Sequence, residues 1–372
     1  MVSTSGYKLF SPLKLGENFV LKNRVILSPL TRGRSNLETR VPNDDNVTYY
    51  EQRAGAGLII TEATAISEQA FGWYGAPALY TQEHAAGWKK VVDAVHAKDG
   101  KIVLQLWHMG RQAHTSFNTK SDLVAPSAIG IEDGHVRNSS GVAVPHEVPR
   151  ALETQEISDI VEDYRKCAEL AKQVGFDGVE IHGANGYLID EFLQSSTNKR
   201  TDKYGGSIEN RARFLLEIVD ALKTVWSSAR IAVRLSPNGV YGQMGSEDNV
   251  ETYTYVFQQL SKHNLAYLAL LDGLGFGYHD KCRVLSVFDA KEHFKGNVFA
   301  TNSYTRDTAE GVIRSGAADA VCFGRAYISN PDLAERFEND WPLNGDAGHE
   351  FWWDALKGAE GYTTYQPYTP KE

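Results

Sequence analysis

Three side chains able to grip and protonate a polar substrate follow one short apolar stretch: DGVEIHGANGY, residues 177–187, carries His182, Asn185 and Tyr187. Histidine donates or accepts, the Asn185 amide offers N–H groups, and the Tyr187 phenol carries a proton whose ordinary pKa is about 10. Such a trio can hold a carbonyl oxygen and give a proton to a neighbouring carbon, which is chemistry for polarising something neutral. Alone, H-x-x-N-x-Y reads more readily as a satisfied core histidine beside a packed aromatic, so the weight falls on the elements around it. The run 178–181 is too brief and too flanked by glycine to be a helix, and as a strand it sets all three residues near one strand end.

The surrounding chain repeats one unit. A strand over 25–30, closed by Pro29, is followed by a helix over 46–53 and a strand over 57–62. Thr81 caps a helix with Trp88, Val91, Val92 and Val95 on one face, and Gly100 ends it before the strand Ile102–Trp107. Thr154 caps the next helix, with Ile157, Ile160, Val161, Tyr164, Ala168 and Ala171 on one face, and Gly175 stops it before the central strand. Helices over 214–226 and 250–260, a short one near Phe288, and one over 308–314 lead to strands over 231–235, 267–271, 298–300 and 320–323. Eight strands alternating with helices predict an α/β fold, a (β/α)8 TIM barrel in one domain spanning residues 1–372. Residues 7–23, around Gly16-Glu17-Asn18, read as an N-terminal β-hairpin capping one end. The stretch 110–150, rich in Gly, Pro, Ser and His, reads as a lid-like excursion after strand 3. The rival, a doubly wound sheet, lacks its glycine fingerprint: 273–278 fails G-x-G-x-x-G at its last position and follows the sixth strand.

The totals exclude several partners. A net charge of -9, from 38 basic and 47 acidic residues spread along 372, offers no basic surface for nucleic acid or an anionic membrane. Cys167, Cys282 and Cys322 are far apart and odd in number, so no disulfide framework, zinc pattern or iron–sulfur centre is expected, and a reducing cytoplasm fits. The N-terminus has no signal-peptide pattern, no apolar run approaches a membrane span, and Pro370-Lys371-Glu372 is no peroxisomal tripeptide.

In such a barrel the site lies at the C-terminal ends of the strands, and polar groups converge on that rim. The residues standing there are Pro29-Leu30-Thr31, Glu62, Gln105 with Trp107 and His108, the His182 group, Arg234, Asp272, Thr301-Asn302 and Gly324-Arg325. The last two strands commonly form a phosphate site, and here they carry Ser303, Gly324 and Arg325, which implies a phosphorylated ligand. Arg325 alone reads equally well as a surface ion-pair partner. Arg234 closes an apolar strand with no acid beside it, so an anionic or electron-rich ligand ring is expected as its partner. Metal-assisted hydrolysis through Glu180, His182, His108 and His114 is the rival enzyme reading, but Gln105, Asn185 and Thr31 are poor ligands and good hydrogen-bonders to a neutral heterocycle. A non-catalytic barrel leaves this convergence unexplained.

Six stretches carry a resemblance: RVILSPLTRGRS at 24–35, QLWHMGRQ at 105–112, EIHGANGYLIDEFLQ at 180–194, RTDKYGGSIENRARF at 200–214, VRLSPNGVYG at 233–242 and FGRAYISNPDL at 323–333. From about Lys8 to about Tyr365 the chain resembles the old yellow enzyme family of flavin-dependent ene-reductases. The resemblance implies non-covalent FMN over the barrel mouth, with Pro29, Leu30 and Glu62 around it, Thr31 and Gln105 at the pyrimidine edge and Arg234 near N1 and O2. The phosphate would lie against Thr301, Asn302, Ser303, Gly324 and Arg325. His182 and Asn185 would bind the oxygen of an activating group, Tyr187 would donate the proton, and Trp107, Tyr241 and Thr31 would line the substrate space. It further implies reduction by NAD(P)H, NADPH foremost, small α,β-unsaturated aldehydes, ketones or nitroalkenes as substrates, and a monomer or homodimer. Thr31 stands where one subgroup carries cysteine and Asn185 where that subgroup has a second histidine; Thr301-Asn302 replaces a turn that begins with glycine in many relatives. Phe351, Trp352 and Trp353 stand roughly where relatives place a substrate-lining aromatic, and the sequence does not choose among them.

Overall fold

The computed structural model describes residue 4 and residues 6–273 and 277–370. Eight parallel strands close on themselves: β1 (Val25–Leu27), β2 (Leu58–Ile60), β3 (Ile102–Trp107), β4 (Gly178–Gly183), β5 (Ile231–Leu235), β6 (Tyr267–Leu271), β7 (Val298–Thr301) and β8 (Ala320–Phe323). Each pairs with its successor, and β8 returns to β1 with Phe323 opposite Leu27. Closure removes the free edges, and helices between the strands complete the expected (β/α)8 barrel.

The strands are apolar nearly throughout because both faces are covered. Alternate residues sort into two cores. Ile26, Leu58, Ile60, Val103, Ala232, Ala269 and Ala320 fill the barrel, with Tyr267 and Phe299 stacked at 4.1 Å, while Leu27, Ile59, Leu104, Val233 and Val321 pack with the helices. The N-terminal hairpin is shorter than 7–23, pairing Leu13–Gly16 with Phe19–Leu21 after a turn at Lys8–Phe10. Its Leu13, Leu15, Phe19 and Leu21 join the inner core. Arg230, just before β5, sits over the Phe19 ring at 4.3 Å and donates to the Asn18 carbonyl, so the hairpin plugs the end where strands begin.

Several helix starts differ from expectation. The first runs Asp44–Glu51, two residues early, because Asn43 and Asn46 form a reciprocal cap. Glu153, not Thr154, caps Thr154–Val174, leaving the Thr154 hydroxyl to donate to Asp202 at 2.8 Å. The helix expected over 214–226 runs Ile208–Lys223 behind Ser207, its first turns hidden by the largely polar stretch IENRAR. Thr81 and Gly175 act as read, Gly175 in the left-handed conformation at φ 101°.

The excursion is stitched down: Val124–Ala125 pairs in parallel with Arg150–Ala151, and Val136–Arg137 pairs with Ala143–Val144. Residues 274–276 of the glycine-rich run, and parts of both chain ends read for targeting signals, lie outside the described residues. Among the described residues no helix is long and apolar enough to cross a membrane.

Candidate active site

At the C-terminal strand ends the barrel opens into a cavity of about 580 Å³. From β1 come Pro29, Leu30 and Thr31; from β3, Gln105; from β4 and its loop, His182, Asn185 and Tyr187. Arg234 and Tyr241 enter from β5, Thr301, Asn302 and Ser303 from β7, and Gly324 and Arg325 from β8. Four expected residues stand off it, Glu62 and Trp107 first. Glu62 is buried behind the wall, where Oε2 accepts from the Arg32 and Gly33 amides, both at 3.1 Å, and Oε1 from the Tyr50 hydroxyl at 3.3 Å. It fixes the turn after Thr31 instead of facing a ligand. Trp107 lies behind Tyr187, edge-on at 5.2 Å.

The trio His182, Asn185 and Tyr187 rests on a tightly determined turn. Asn185 and Gly186 both take positive φ, 59° and 69°. The Asn185 N–H donates to Ser236 Oγ at 2.7 Å, its carbonyl accepts from Gln112 Nε2 at 2.7 Å, and the Gly186 N–H donates to Asp190 Oδ2 at 2.8 Å. A Cβ at Gly186 would stand 2.8 Å from the Tyr241 carbonyl and 2.7 Å from Met244 Cγ. Gly186→Ala is therefore expected to lose stability beyond the 1–2 kcal/mol or so that the left-handed backbone alone costs, read from its urea midpoint. Loss below about 0.5 kcal/mol would mean the turn relaxes freely.

His182 Nδ1 accepts the Ala184 N–H at 3.3 Å, which leaves its proton on Nε2 as a donor. Burial, then the Arg234 charge, pushes His182 down to about 3, so the ring is neutral at ordinary pH. Burial pushes Tyr187 well above its usual value, keeping its hydroxyl protonated, and its ring meets the His182 ring edge-on at 5.0 Å. Linkage gives the sign: a histidine held below its ordinary 6.5 stabilises the fold above that pH and loses this contribution as pH falls toward 3. The stability advantage of the parent over His182→Gln should shrink by up to about 1.4 kcal/mol per pH unit between pH 6.5 and 5. Equal pH slopes for the two proteins would contradict a neutral His182.

Arg234 has a protein partner, contrary to the expectation from its own strand. Its Nε donates to Glu180 Oε1 of β4 at 2.8 Å, Nη1 to Thr301 Oγ1 at 3.1 Å and Nη2 to Cys322 Sγ at 3.7 Å. A guanidinium carries five N–H groups, so two remain for a ligand. Gln105 Nε2 donates to the same Glu180 oxygen at 2.8 Å. At the other end Asn302 and Ser303 hold positive φ, 94° and 62°, without the glycine that usually takes such a turn, and Tyr304 donates to Asp272 at 2.9 Å. Asp272 itself stands off the cavity, as does His108, whose Nδ1 accepts the Gly110 N–H at 3.1 Å. Among the described residues no group of three His, Cys, Asp or Glu could hold a metal ion.

On the opposite wall sequence reasoning missed Trp73 and left Trp353 undecided among 351–353. Trp73 and Trp353 both line the cavity, their rings edge-on at 6.1 Å, so Trp353 is the member of the 351–353 trio that faces it. Trp352 instead packs under Arg325 at 5.1 Å. The Arg32 guanidinium holds this segment in place, donating to the carbonyls of Phe351, Trp352 and Gly361 at 2.9, 2.8 and 2.9 Å. The arginines of SPLTRGRS were the available signal, since a buried Arg32 needs several acceptors.

The model of the NADH:flavin oxidoreductase / NADH oxidase family matches residues 8–344. 12-Oxophytodienoate reductase 1 of Oryza sativa subsp. japonica is 38% identical, over 98% of this chain and 94% of the rice protein. Among solved structures, morphinone reductase superposes with a TM-score of 0.90 at 42% identity, covering 99% of this chain and 98% of that one, and is also known in complex with tetrahydroNAD. The old yellow enzyme homologue from Zymomonas mobilis has a TM-score of 0.91 at 39% identity, covering 97% and 100%. A barrel of this shape, matched along nearly its whole length in sequence and in structure, belongs to the NADH:flavin oxidoreductase / NADH oxidase family and is an FMN-dependent oxidoreductase of the old yellow enzyme type.

Proposed function

We propose that the chain reduces the carbon–carbon double bond of small α,β-unsaturated aldehydes, ketones or nitroalkenes at the expense of NADPH, with Tyr187 as proton donor. The observation that carries this reading is that three neutral donors, His182, Asn185 and Tyr187, share one cavity with the floor residues Gln105 and Arg234. The residues suit FMN. A cavity of about 580 Å³ is of cofactor size, and Arg234 keeps two N–H groups for a ring edge. Thr31 and Gln105 would meet the pyrimidine edge, Pro29 and Leu30 would pack beside the ring, and Thr301, Asn302, Ser303, Gly324 and Arg325 would hold the phosphate. Glu62 would act only through the turn that carries Thr31.

Bound FMN supplies hydride chemistry between a reduced nicotinamide and an electron-poor carbon. The chain's own residues do the rest. His182 Nε2–H and the Asn185 amide would bind the activating oxygen and stabilise the negative charge that develops there as the β-carbon accepts hydride. Tyr187 O–H would then hand its proton to the α-carbon, and Tyr241 with the two tryptophans would exclude water. The nicotinamide complex of morphinone reductase supports a reductant entering the same opening. Neutral His182 suits this work, because an imidazolium would bind the oxygen by giving up its own proton in competition with Tyr187.

Product analysis tests the proposal. Reduction of 2-cyclohexenone with nicotinamide deuterated at its transferable position should label the β-carbon alone, and reduction in D2O should label the α-carbon alone. Attack at the carbonyl, giving an allylic alcohol, would overturn it.

A further inference from the structure

Glu180 sits on β4 two residues before His182, fully buried, and its neighbours in register place it between the two residues that define the cavity floor. Gln105 of β3 is directly opposite Glu180, and Arg234 of β5 is opposite His182, so all of them project to the same side of the pleat. One oxygen, Oε1, accepts from both Gln105 Nε2 and Arg234 Nε, each at 2.8 Å. The other, Oε2, is buried without a close hydrogen bond among the described residues, and the hydroxyl of Tyr267 on β6, pushed well up by burial and then by Glu180, lies beside this carboxylate.

Two consequences follow from the chemistry of a carboxylate. It only accepts, so the amide NH2 of Gln105 must face Glu180 and the amide oxygen is left for the cavity that Gln105 lines. It also pairs with the Arg234 guanidinium at 2.8 Å, so it offsets much of the positive field that Arg234 sends into the cavity. A purely structural role, balancing a buried arginine, would account for the ion pair alone. It would not need the shared oxygen on Gln105.

We infer that Glu180 is a positioning residue for the flavin: its carboxylate sets the amide of Gln105 as an acceptor, aims Arg234, and lowers the net positive charge that the cofactor's pyrimidine edge meets. The inference rests on the FMN site proposed above.

Two variants separate charge from placement. Glu180→Gln keeps the shape and removes the charge. Sulfite, an anion that adds to oxidised flavin where positive charge is nearby, should bind this variant at least tenfold more tightly. Glu180→Asp keeps the charge but withdraws the carboxylate by one methylene. Its sulfite affinity should stay within about threefold of the parent, while its FMN dissociation constant rises at least tenfold because Gln105 and Arg234 lose their common anchor. Sulfite affinity in Glu180→Gln within twofold of the parent, or parental FMN affinity in Glu180→Asp, would overturn the inference. Should Glu180→Gln fail to fold, the FMN affinity of Glu180→Asp, checked for a parental melting curve, decides alone. Parent protein that takes up no FMN would contradict the site itself, whereas parent that binds FMN beside silent Glu180 variants would contradict this inference only.

Discussion

Replacing Tyr187 by phenylalanine is expected to slow the reduction of 2-cyclohexenone by about 10²- to 10⁴-fold, the usual worth of a positioned general acid. The rate at which NADPH reduces the bound flavin should be unchanged. Only one hydroxyl is removed: the ring stays packed edge-on against Trp107 at 5.2 Å and His182 at 5.0 Å, so the pocket keeps its shape. Burial holds the phenol well above its ordinary pKa, so the proton is present throughout the working pH range. Because His182 and Asn185 would still hold the oxygen, KM for the enone should move far less than kcat. Single-turnover reoxidation at the parental rate would show that the proton comes from elsewhere.

The second large effect is expected from the oxygen site. Each donor lost from a developing oxyanion typically costs 10²–10³ in rate, so removing both His182 and Asn185 should lower kcat/KM for enones by at least 10³. The choice of substitution matters. Asn185 holds φ at 59°, so glycine is the replacement that keeps the turn, and alanine would confound the result with backbone strain. His182→Ala combined with Asn185→Gly should also weaken binding of a phenol to the oxidised protein by at least tenfold, since a phenolate oxygen would use the same two donors. Unchanged phenol affinity would remove both residues from the oxygen site.

The barrel was legible because its strands are short, apolar and regularly spaced, and because Thr81, Gly175 and Pro29 punctuate them by conformational rules that act locally. Helix starts were less so: the first turn and a half of Ile208–Lys223 is mostly polar, and its apolar period shows only after it. The site divided along the same line. Residues at strand ends were found by position alone, and most of them do line the cavity. Position along a strand does not give orientation near its end, however, and Glu62 and Trp107 turn away. The partner of Arg234 was invisible because it comes from the neighbouring strand, through a register that no single-strand reading contains. Trp353 was undecided because backbone carbonyls, which leave no trace in side-chain identity, hold its segment through Arg32.

A visible absorption spectrum taken through one anaerobic cycle tests the central claim most directly. Protein loaded with FMN should be yellow, bleach on addition of NADPH, and regain its colour on addition of 2-cyclohexenone in the absence of oxygen. A yellow protein that bleaches but stays colourless with the enone would contradict ene-reduction. A protein that neither carries nor takes up FMN would contradict the assignment of the cavity as a whole.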